Sequence, residues 1–126
     1  MLAILPSAYR QGYTAGVNMA GGENSLNDEF PLNAIGFFGL HALTAGAYTG
    51  ETYREKTEKG IKRLFFDGDK LVGFILIGDV KGAGIYTSLI KNKTVLSEKS
   101  KKMLEKSPTL AIFDAETRAK KLGGVV

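Results

Sequence analysis

Two apolar runs, Ile61 to Phe66 and Lys70 to Ile77, stand on either side of Asp67-Gly68-Asp69. A glycine between two aspartates can adopt the positive φ of a tight turn, so the runs read as an antiparallel hairpin. Upstream, Ile35 to Ala47 is apolar and punctuated by glycine, consistent with one strand that bends near Gly39. Thr52 to Glu58 alternates in the manner of an exposed edge strand. These segments predict an α+β fold built on an antiparallel meander of about four strands.

After Gly78-Asp79 the apolar period changes from that of a strand to that of a helix. Over Ala83 to Lys91 it places Ile85, Tyr86, Leu89 and Ile90 on one helical face. Ser97 is suited to cap a helix running to about Lys106, anchored by Met103 and Leu104 and ended by Pro108. Asp114 is suited to cap a final short helix before Gly123 and Gly124. From Lys91 onward there are nine Lys or Arg against four Asp or Glu. These lysines alternate with glutamates and carry no aromatic residue between Lys91 and Lys106, the pattern of a solvated helix face rather than a nucleic-acid surface.

At 126 residues the chain has room for one ordinary domain, and its 44% apolar and 24% charged shares are those of a globular protein. No stretch approaches the roughly 20 apolar residues of a membrane span. The apolar opening, Met1 to Leu5, lacks the basic flank and length of a signal peptide, so the Asn92-Lys93-Thr94 sequon is not expected to be glycosylated. There is no cysteine. That excludes disulfides, a thiolate nucleophile and cysteine-bound metals, and with His41 as the single histidine a metal site is not expected. A cytoplasmic location is the natural reading.

Residues 6–20 read as a helix with Pro6 in its first turn and Gly21-Gly22 as its stop. Gly12 and Gly16 inside it cost about 1 kcal/mol each relative to alanine. They align with Ala8, Ala15, Met19 and Ala20 into a stripe of small residues that lets another backbone approach closely. Such a helix is built to press against something. Residues 22–33 are rich in turn formers and read as an inter-domain linker.

Three stretches together resemble one family. Leu5-Pro6-Ser7-Ala8, Gln11-Gly12 and Ala15-Gly16-x-Asn18-Met19-Ala20-Gly21 resemble the helix that closes the FAD domain in FAD-dependent pyridine nucleotide-disulfide oxidoreductases. The similar members are nitrite reductase large subunits, rubredoxin reductases and NADH oxidases. Phe37-Phe38-Gly39-Leu40 with Thr44-Ala45-Gly46 resembles the opening strand of their carboxy-terminal domain. Asp69-Lys70-Leu71-Val72-Gly73-x-Ile75-Leu76-Ile77-Gly78-Asp79, then Ala83-Gly84-Ile85-Tyr86, resembles its closing strand and helix. The G-x-G-x-x-G fingerprints on which dinucleotide-binding halves depend are missing. So is the acidic flavin segment that precedes the helix in the family, and Ser7 replaces the usual asparagine.

The resemblance implies that residues 1–21 are the last helix of a FAD-binding domain and 34–126 a dimerisation and flavin-covering domain. It implies a parent that passes hydride from NAD(P)H to FAD and electrons onward, with no activity or tight FAD binding in this chain alone. The implied partners are the FAD- and NAD-binding domains of the same parent and a second copy in a homodimer, with no nucleic acid or membrane. By the same resemblance Pro6, Ser7 and Ala8 bring the positive end of the first helix to the pyrimidine side of the flavin, where reduction places negative charge. For Phe37 and Phe38 two readings stand: core packing on a bent strand, or a wall beside the flavin ring.

His41 has no carboxylate near it in sequence and reads as a packed or partly exposed side chain. Asp67, Asp69 and Asp79 read as turn and strand-end residues. Gly82-x-Gly84 reads as a tight strand-to-helix turn rather than a phosphate cradle. Tyr9, Tyr13, Tyr48, Tyr53 and Tyr86 are assigned to packing. The alternative function is a stand-alone α+β interaction module, which requires the helix at 6–20 to pack within the chain.

Overall fold

The computed structural model describes residues 5–26 and 30–123, with the backbone alone at Leu5 and Pro6. The chain runs α1 (Leu5–Met19), β1 (Leu32–Phe37), β2 (Leu40–Gly46), β3 (Glu51–Thr57), β4 (Gly60–Asp67) and β5 (Lys70–Gly78). It continues with α2 (Ala83–Lys91), α3 (Glu98–Lys106), a short 3₁₀ turn at Leu110–Ile112 and α4 (Ala115–Lys121). The fold is α+β, with five antiparallel strands in the order β1-β2-β5-β4-β3.

Strands β3, β4 and β5 form the meander, and Asp67-Gly68-Asp69 closes its second hairpin with Gly68 at φ 55°. The segment read as one bent strand is instead a hairpin. Phe38 and Gly39 turn at φ 46° and 83°, so β1 folds back on β2, and β2 pairs with β5 rather than β3. Positive φ at both central residues is the requirement of a type I′ turn, whose twist matches the flanking strands. β1 also takes in Leu32 and Asn33, which the sequence reading placed in the connection.

One face of the sheet carries the core. Ala45, Leu64, Phe74 and Leu76 share it by register and alternation, and Tyr86, Leu89 and Ile90 of α2 press onto them. Leu96, Leu104 and Phe113 from the segment after α2 complete the cluster. Ser97 caps α3 by accepting from the Ser100 N–H at 3.2 Å, and Asp114 caps α4 by accepting from Thr117 at 2.8 Å. Both caps stand where the sequence placed them.

α1 is different. Gly21 at φ 84° ends it, and Asn18 bonds both ways with the Asn24 backbone, tying the chain back against the helix end. Among its described side chains Tyr9 is 75% and Met19 88% exposed, and only Ser7 is buried. The helix packs its small-residue stripe against nothing in the described chain, with no atom within 4 Å of a Cβ added at Gly12 or Gly16.

Candidate functional site

Phe38 occupies the tip of the β1–β2 hairpin and is 95% exposed, with Phe37 beside it at 67%. Neither ring packs into the core of the described chain. The rings meet edge to face at 4.5 Å between centroids. A bulky side chain in the left-handed region costs roughly 1–2 kcal/mol, so the turn holds this aromatic tip outward against backbone preference. Leu32, Ile35 and Leu40 are exposed along the same hairpin.

Ser7 and Ala8 lie in the first turn of α1, and the Ser7 hydroxyl accepts from Gln11 Nε2 at 2.9 Å. Pro6 is in the same turn by its backbone; its side chain lies outside the described residues. Tyr9 and Tyr13 are exposed on α1 rather than packed. Tyr48 stays half-open over the buried Phe65 ring at 5.4 Å. Tyr86 is fully buried and its hydroxyl donates to the Leu104 carbonyl at 3.0 Å. Burial, with smaller contributions from Glu55, Tyr53 and Asp79, pushes its ionisation well above the ordinary tyrosine range.

Gly82 opens α2 at φ 78°, but a Cβ there would stand 2.0 Å from Pro108 Cγ. The proline ring plugs the turn, so Gly82-x-Gly84 offers no phosphate cradle. Asp67 and Asp69 form the β4–β5 turn, and the Asp79 carboxylate accepts from the Lys81 N–H at 3.1 Å. Among the described residues no three His, Cys, Asp or Glu side chains gather as metal ligands. His41 is exposed, its Nδ1 3.3 Å from where a Gly36 Cβ would stand. No described helix is long and apolar enough to cross a membrane.

Sequence reasoning missed two features. Lys62 is held by the Glu55 carboxylate at 2.6 Å and donates to the Glu105 carbonyl, so one ammonium stops α3 against the sheet. Beside it lies a polar pocket of about 130 Å³, lined by Asp79, Lys81 and Pro108 among others. Ligand sites span about 300–1,000 Å³, so this pocket is too small for a cofactor. Arg54 and Arg63 face each other across β3 and β4. Reading the two strands in register would have found that pair.

For FAD, the fit is partial. The residues present offer an aromatic tip and a helix amino end for a flavin edge, and the plugged Gly82 turn offers nothing for a pyrophosphate.

The family described as rubredoxin NAD+ reductase C-terminal domain matches residues 31–94, from the start of β1 to just past α2. The chain is also similar to NADH-dependent phenylglyoxylate dehydrogenase subunit epsilon of Aromatoleum evansii. The two are 36% identical over 106 residues, covering 77% of this chain and 25% of that protein. The chain thus spans about a quarter of the length of this curated relative.

Proposed function

The chain belongs to the rubredoxin NAD+ reductase C-terminal domain family, and from that membership we propose that it is the flavin-covering, dimerising end of a FAD-dependent NAD(P)H oxidoreductase. The observation that carries the reading is Phe38, an aromatic ring held fully outward on a left-handed residue at a hairpin tip. Strain of this kind persists where the surrounding structure has a use for it. The Phe37–Phe38 tip walls one edge of the flavin and excludes water. The first turn of α1, at Pro6, Ser7 and Ala8, turns its positive end toward the pyrimidine side. When bound, FAD supplies hydride acceptance from NAD(P)H and onward electron transfer.

On this reading residues 1–21 complete the FAD-binding body, 22–33 link it to the domain, and 34–126 form the cover. A homodimer through the sheet belongs to the same reading, with the edge of β1 that no described strand pairs available for pairing across a two-fold axis. The alternative, a stand-alone interaction module, needed α1 to pack inside the chain, and its exposure favours the flavoenzyme reading.

The test is the longer polypeptide that carries this sequence, purified and titrated anaerobically with NADH and NADPH. It is expected to show a visible flavin band that bleaches with either nucleotide. A colourless polypeptide that oxidises neither would overturn the proposal.

A further inference from the structure

The sheet face opposite the helices is apolar in the middle and cationic toward β3. Ala42, Ile61, Ile75 and Ile77 stand on it, half-buried, by register and alternation. Beyond them Arg63 and Arg54 are directly opposed. Like charges so placed weaken strand pairing. The Arg63 guanidinium lies over the Phe65 ring at 5.2 Å, and its Nε is buried with no hydrogen-bond acceptor. No ion pair with a described carboxylate answers either arginine; those between described residues use Lys62, Lys101 and Lys120.

We infer that this face seats against the rest of the same, longer polypeptide, and that a carboxylate there docks on the Arg54–Arg63 pair. The inference rests on the reading of the chain as one region of a larger flavoprotein. Charge selects the occupant. Two copies packed face to face would bring four arginines together. Within the strands the acidic residue that alternation places on this face is Asp67, four residues along β4 from Arg63 and in register with Lys70. At about 3.3 Å per residue that is roughly 13 Å away. A carboxylate from elsewhere meets a guanidinium that Phe65 has already ordered and partly dried, so little freedom is lost on docking. The relative extends to about four times the aligned share, ample length for such a body.

The chain has no cysteine, so Ala42→Cys installs a unique thiol in it on this face. Its alkylation by N-ethylmaleimide is followed by peptide mass mapping in the 126-residue chain and in the longer polypeptide. Ile77→Cys serves as a second position should the first disturb folding. Docking predicts labelling at least about tenfold slower in the longer polypeptide, because only transient opening exposes the thiol. Arg54→Glu with Arg63→Glu is expected to restore the rate of the isolated chain. Equal rates in both proteins overturn the inference, as does protection that survives charge reversal. Protection already present in the isolated chain and rising with its concentration makes a second copy the occupant and overturns it too. Flavin content is read separately: a flavin-bearing polypeptide without protection removes the docking alone, and a colourless one with protection removes the flavin reading alone.

Discussion

The Tyr86 hydroxyl donates to the Leu104 carbonyl at 3.0 Å in a site closed to solvent, joining α2 to the last turn of α3. The family match ends at residue 94, so this bond ties the matched domain to the segment after it. Tyr86→Phe leaves the Leu104 carbonyl unmet and is expected to cost about 1–3 kcal/mol in urea unfolding. The pH dependence follows from the raised ionisation of Tyr86. The native state favours the neutral phenol, so its contribution is complete below the ordinary value of 10.0 and is lost as pH rises above it. Tyr86→Phe should therefore flatten the fall of stability above that pH. A variant as alkali-sensitive as the parent contradicts this.

Gly82 and Gly84 separate two readings of one turn. Gly82→Ala drives a Cβ into the Pro108 ring at a left-handed φ, and should cost about 2–4 kcal/mol. Gly84 has open space around it within α2, so Gly84→Ala should be neutral or stabilise by up to about 1 kcal/mol. Thermal melts of the two variants check the contrast, and similar melting points would contradict the plugged turn.

Leu104 is fully buried beneath α3. Leu104→Ala is expected to cost about 2–5 kcal/mol, the transfer loss plus the cavity left behind. Truncation after residue 94 removes Leu96, Leu104 and Phe113 from the core together. That truncated chain should lose its cooperative urea transition. A matched segment that unfolds as sharply as the whole chain would show the tail to be dispensable.

Phe38→Asn places a residue tolerant of positive φ before Gly39. Relief of the left-handed strain is partly offset by the lost ring contact with Phe37, so stability should hold or rise by up to about 1 kcal/mol. In the flavin-loaded polypeptide the same change should increase flavin fluorescence and its reaction with dioxygen. Loss of more than about 1 kcal/mol would mean the ring is structural. Unchanged flavin properties would mean it covers nothing.

Much of the fold was legible because its signals are local. Ser97 and Asp114 announce helix starts through their own hydroxyl and carboxylate, and Gly68 announces a turn between aspartates. The Phe38-Gly39 turn was not, because nothing polar marks it and Phe-Phe-Gly-Leu reads as continuing strand. Its positive φ falls on a phenylalanine, a residue that propensity assigns to strands. Pro108 filling the space above Gly82 was equally hidden, since the two lie far apart in sequence. The small-residue stripe of α1 was legible for the opposite reason: spacing alone puts Gly12, Ala15 and Gly16 on one side, and the structure leaves them bare.

On the proposed reading, α1 is shaped for a body other than the sheet domain. Urea unfolding of the whole chain and of residues 22–126 tests this directly. Because Gly12 and Gly16 face open space and Ser7 alone among the described side chains of α1 is buried, the two unfolding free energies should agree within about 0.5 kcal/mol. A drop of several kcal/mol on removing residues 1–21 would mean the helix belongs to this domain's own core, and would contradict the claim.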